Sequence, residues 1–96
     1  MSDMYLVEEH EFVNGTLTDI PFRRVVKAAG FKIAFAAASR IAAKRSGRPF
    51  DCNANDLVEV VEGYLWGYGD AGNAYEVRRL TAQTGRQDVH VLASEG

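Results

Sequence analysis

The stretch from Phe31 to Arg45 constrains this chain more than any other. It is alanine-rich and free of proline, and Phe31, Ala34, Phe35, Ala38, Ile41 and Ala42 recur at helical spacing. Lys44 and Arg45 occupy the last turn, where cations complement the helix dipole, and Ser46-Gly47 followed by Pro49 stops the helix. A helix is therefore expected over 31–45. Eight alanines between Ala28 and Ala43 let its backbone approach a sheet or another helix closely. In a chain of 96 residues one such helix leaves room for one core, so residues 1–96 are read as a single domain.

Most of the remainder reads as strand. Residues 4–13 alternate within a β-rich stretch, and Asn14-Gly15 supplies the two positive-φ residues of a tight hairpin turn. Residues 16–18 return as a short partner. Residues 19–30 are two-faced. Asp19 can cap, Pro21 suits a first helical turn, and Phe22, Val25, Val26 and Ala29 share a helical face. That stripe points roughly 90° or more away from the one beginning at Phe31, so a short separate element broken at Gly30 is expected. Residues 50–56 form a polar loop and 57–66 a strand, although Leu57, Val60, Val61, Tyr64 and Leu65 also fit helical spacing. A glycine-rich turn follows over 67–73, then strands over 74–82 and 89–93. The fold class is α+β: a small antiparallel sheet with the 31–45 helix on one face, in the order β(β)-α-β-β-β. If 74–84 were helical, capped by Asn73, the order would be β-α-β-α-β.

Charge is segregated along the chain. Net charge is −2, yet eight of the eleven Lys and Arg residues lie between positions 20 and 50, where there is no acid. The basic segment either neutralises acidic strands within the fold or faces an anionic partner. A dedicated nucleic-acid module is usually net positive, so internal neutralisation is the leading reading. Cys52 is the single cysteine, which fits a reducing, cytoplasmic compartment and a small packed thiol rather than a nucleophile. No apolar run is long enough to span a bilayer, and Met1-Ser2-Asp3-Met4 lacks the basic start of a secretory leader.

Four motifs bear on chemistry. Gly67-Tyr68-Gly69-Asp70-Ala71-Gly72 is a literal G-x-G-x-x-G, and with Asp88–Leu92 it resembles a dinucleotide-binding βαβ unit. That resemblance implies a pyrophosphate cradle at a helix start. The bulky Tyr64 and Trp66 before it, and Ala93-Ser94 near the place of a ribose-binding acid, favour a plain β-turn. Asp51, Asn53, Asn55 and Glu62 match EF-hand ligand spacing, but Asp56 stands where the loop needs glycine, so an Asx-rich turn is expected and no metal or cofactor. His10 and His90 lie outside any metal or nucleophile motif, and Glu8, Glu9 and Glu11 around His10 read as solvated strand residues. Tyr64, Trp66, Tyr68 and Tyr75 form a Gly-spaced aromatic group suited to an interface.

These features point to a non-catalytic binding protein that occupies a partner's surface. In size and composition alone it resembles phage-encoded inhibitors of bacterial defence systems, such as anti-CRISPR proteins. The expected interface comprises Tyr64, Trp66, Tyr68 and Tyr75, the acids Glu59 and Glu62, and the bases Arg40, Lys44, Arg45 and Arg48. The expected partner is a protein, for instance a nucleic-acid-handling complex. Direct nucleic-acid binding through the four bases and nucleotide binding at Gly67–Gly72 are the alternatives, and an open strand edge would allow a homodimer by sheet extension.

Overall fold

The computed structural model describes residues 2–80. Strand β1 (Asp3–Val13) turns through Asn14 (φ 53°) and Gly15 (φ 79°) into β2 (Thr16–Ala28). Helix α1 spans Phe31–Ser46, and a short 3-10 turn at Ala54–Asp56 leads into β3 (Val58–Val61), β4 (Tyr64–Tyr68) and β5 (Ala74–Leu80). All pairings are antiparallel, and the sheet order is β2-β1-β5-β4-β3. This is the expected α+β class, with one helix on one face of an antiparallel sheet.

Three segments depart from the sequence reading. Residues 19–28 are neither helix nor separate element; they extend the first hairpin, pairing Phe22 with Glu9 and Ala28 with Asp3. Pro21 is tolerated because β2 lies at a sheet edge and the register shifts beside it, where a missing N–H removes no ladder bond. The single strand expected over 57–66 is two strands. Gly63, at φ 81°, takes the left-handed conformation that reverses the chain between Val61 and Tyr64. Residues 74–80 are strand, which removes the β-α-β-α-β alternative. The strand expected over 89–93 lies outside the described residues.

Alternation along each strand sorts the side chains between two faces. Toward α1 point Tyr5 and Val7 of β1, Phe22 and Val26 of β2, Val77 and Tyr75 of β5 and Leu65 of β4, all buried. Ala34 and Ala38 are fully buried, so the helix lies close on the sheet. Phe35 meets Phe50 at 5.1 Å and Tyr75 at 5.6 Å between ring centroids, and Phe50 meets Tyr75 at 4.9 Å and Phe22 at 5.1 Å. The loop carrying Phe50 is pinned by two backbone hydrogen bonds: Phe50 N–H donates to Ser39 Oγ (2.9 Å) and Asp51 N–H to Tyr75 Oη (2.9 Å).

The glycine-rich turn packs against that loop. A Cβ at Gly67 would lie 2.8 Å from Leu57 Cδ2 and 3.0 Å from Cys52 Sγ, and one at Gly69 would collide with the Asp51 carbonyl oxygen. The clash at Gly69 is with backbone, which cannot swing aside. Gly69→Ala is therefore expected to destabilise the protein by about 1–3 kcal/mol in urea denaturation; an unchanged midpoint would contradict this packing.

Candidate functional site

Among the described residues, no helix covers the second face of the sheet. Its centre is a polar cluster. Glu8 on β1 and Glu76 on β5 are direct cross-strand partners, only 4% and 5% exposed. Two carboxylates so placed repel each other, and burial strengthens the repulsion. Each is held by an outer donor: Arg23 Nε donates to Glu8 Oε2, and the Tyr64 hydroxyl donates to Glu76 Oε2. His10, two residues along β1 and on the same face, places Nε2 3.1 Å from Glu8 Oε1. Its ring meets Trp66 edge-on at 5.2 Å, and Trp66 stacks on Tyr64 at 6.0 Å.

The environment drives the two carboxyl groups apart. Burial pushes Glu8 up, but the hydrogen bond and charge of Arg23, with His10 beside it, outweigh burial and hold it below the usual carboxylate range. Burial raises Glu76, the Tyr64 hydroxyl offsets part of the rise, and the Glu8 charge adds to it; the balance is upward. Tyr64 is pushed up to about 12, first by burial and then by its bond to Glu76.

The expected interface residues divide among four places. Tyr64, Trp66 and Tyr68 share the sheet face opposite α1, where Tyr68 is 72% exposed and the other two are half-buried. Val58 and Val61 pair with Trp66 and Tyr64, and together with Val60 they are highly exposed. Tyr75 does not join them. It pairs opposite Gly67, so it points to the helix side and is buried, donating to Glu9 Oε2 at 2.7 Å. Burial raises its hydroxyl pKa, and the Glu9 carboxylate adds to the rise. Glu59 is exposed and accepts from Gly63 N–H at 3.0 Å, while Glu62 stands exposed in the β3–β4 turn. Arg40, Lys44, Arg45 and Arg48 are exposed on α1 or just beyond it. Among the described residues, the ion pairs are those of Glu8 with Arg23 and His10, both inside the sheet. Arg23, one of the bases of the 20–50 segment, is thus paired with acidic strand β1, while among the described residues no ion pair joins the cations of α1 to a strand.

A groove of about 700 Å³ lies at the C-terminal end of α1, with Arg45, Arg48 and Asp51 around it and Glu9, Phe50 and Tyr75 within it. The glycine turn supplies only Ala71 and Asn73 to this groove. The turn's amides are engaged within the protein: Gly69 N–H donates to Asn73 O, Gly72 N–H to Gly69 O and Ala71 N–H to Asp51 Oδ2. A strand follows instead of a helix, so the turn lacks the helix start on which dinucleotide recognition depends. The Asx-rich loop is likewise not a calcium loop. Asp51 caps Ala71, Asn53 caps Asn55, and Glu62 follows strand β3 in the β3–β4 turn, outside the cluster of possible ligands found among the described residues.

Sequence reasoning missed the Glu8–His10–Glu76 cluster and the exposed valines. The signal for the first half was present: Glu8-x-His10 in a strand puts both side chains on one face, while Glu9 and Glu11 point to the other. No protein-family model, curated protein or solved structure matches this chain, so the functional argument rests on this geometry.

Cys52 is half-buried against the turn, and its thiol pKa is raised by burial and then by the charges of Asp56, Asp51 and Asp70. A raised pKa means little thiolate at neutral pH. Alkylation by iodoacetamide is therefore expected to be slower than for free cysteine at pH 7 and to keep climbing at pH values above the ordinary thiol range. Labelling as fast as free cysteine would contradict this placement.

Proposed function

We propose that this protein is a non-catalytic protein-binding module that docks through the β3–β4 end of its sheet. One observation carries the reading: Val58, Val60 and Val61 are 63%, 56% and 62% exposed on a strand that, among the described residues, pairs only with β4, and Tyr68 stands exposed beside them. An apolar edge strand with one unpaired backbone side is a template for an added strand, and its side chains supply apolar contact. Aromatic residues such as Tyr68 carry a large share of the energy in such interfaces. The partner is therefore a protein that presents an extended, apolar segment to β3.

The exposed bases of α1 lie on the opposite layer and give long-range steering toward acidic surfaces. The finer idea, a phage-type inhibitor of a nucleic-acid-handling host complex, draws its support from size, composition and this charge layout.

Affinity capture from host lysate tests the reading with two variant pairs. A partner held by the wild type is expected to remain with Arg40→Glu/Lys44→Glu at high salt and to be lost with Val58→Asp/Tyr68→Ala. Tyr68→Ala alone is expected to weaken binding by about 2 kcal/mol, roughly thirtyfold. Retention by Val58→Asp/Tyr68→Ala, or a mobility shift with nucleic acid abolished by the helix variant, would replace this reading with binding through α1.

A further inference from the structure

We propose that Glu8, His10 and Glu76 form a binding site for one divalent transition-metal ion of the zinc class. The site lies on the sheet face opposite α1 and does not depend on the docking reading.

The donor set comes first. One ligating atom from each of the three residues lies within 4.8 Å of the others. His10 Nε2 and Glu8 Oε1 are 3.1 Å apart. With metal–ligand bonds of about 2.0–2.2 Å, neighbouring ligands around one ion stand roughly 3.0–3.4 Å apart. That pair already has the spacing, and a Glu76 carboxylate oxygen lies within 4.8 Å of both ligand atoms. Two carboxylates and one imidazole suit a borderline ion; magnesium and calcium favour all-oxygen shells.

The supporting donors come second. Arg23 takes Glu8 Oε2, which leaves Oε1 turned toward His10. Tyr64 is the hydrogen-bond donor to Glu76 among the described residues, and it takes one oxygen, leaving the other available. Metal-binding carboxylates are commonly oriented by just such outer donors.

The charge balance comes third. Glu8 and Glu76 are buried side by side with like charge, an arrangement that costs free energy unless a cation joins them. Arg23 pairs directly with Glu8, whereas Arg78 and His10 act on Glu76 through their charge without an ion pair among the described residues. A divalent ion between the two carboxylates would cancel both charges, with His10 binding as neutral imidazole. The His10 side chain keeps 12% of its surface exposed, so the cluster is reached from that edge.

Trp66 is the chain's single tryptophan and touches His10, so its emission reports on the site. The experiment is a titration of the full chain with Co²⁺ alone, followed by competition with Zn²⁺ or Mg²⁺. Saturable quenching at one Co²⁺ per chain is expected, reversed by Zn²⁺ and unaffected by Mg²⁺. Glu76→Gln and His10→Ala should each weaken Co²⁺ binding at least tenfold. Tyr64→Phe, which removes only an outer donor, should weaken it by about tenfold while one equivalent still binds. His90→Ala should leave the titration unchanged. Circular dichroism checks that each variant is folded, and Glu76→Gln keeps the shape of the cluster if His10→Ala does not fold. Absence of saturable quenching through millimolar Co²⁺, unchanged affinity in folded Glu76→Gln, or loss of binding in His90→Ala would overturn the assignment.

Discussion

The two-residue alternation of β1 governs the rest of the molecule. This strand pairs on both sides, with β2 and with β5, so its side chains sit at the centre of both sheet faces. Tyr5 and Val7 point under α1 and join the aromatic core; Leu6, Glu8 and His10 point the other way. A slip of one residue would send the carboxylate of Glu8 into the core and Val7 out of it. The register is thus held by the cost of burying an unpaired charge as well as by apolar burial.

From that strand the two layers follow. On one side the small residues of α1 bring the helix down onto the sheet, and Phe35, Phe50 and Tyr75 pack together between them. The same packing explains the glycine-rich turn. Gly67 and Gly69 are there because Cys52, Leu57 and the Asp51 backbone leave no room for a side chain. On the other side, the buried acids sit at the middle and the exposed valines with Tyr68 at the β3–β4 end. The buried polar cluster and the exposed apolar side chains therefore occupy different parts of the sheet.

Helix α1 was legible in the sequence because spacing, propensity and stop signals agree over 31–45. So was the first turn, since Asn-Gly serves that geometry closely. The length of β2 was hidden by Pro21 and by a helix-like spacing of Phe22, Val25, Val26 and Ala29, and its edge position decided the matter. The β3–β4 turn at Gly63 lies inside a segment that reads as one strand, and the exposure of Val58, Val60 and Val61 is not legible because hydrophobicity does not say which strand will lie outermost. Tyr75 was grouped with Tyr64, Trp66 and Tyr68 by residue type; pairing across β4–β5 sets it opposite Gly67 and so on the helix side. Glu76 could not be linked to Glu8 and His10, because that contact depends on the register of strands distant in sequence.

The placement of Glu8 against Glu76, away from the helix, is the claim on which both the fold and the site stand. Cross-strand nuclear Overhauser contacts between β1 and β5 measure it directly. Contacts joining Leu6 to Arg78, Glu8 to Glu76 and His10 to Ala74 are expected. Contacts that instead join Glu8 to Val77 or Tyr75 would show the register displaced by one residue and would contradict it.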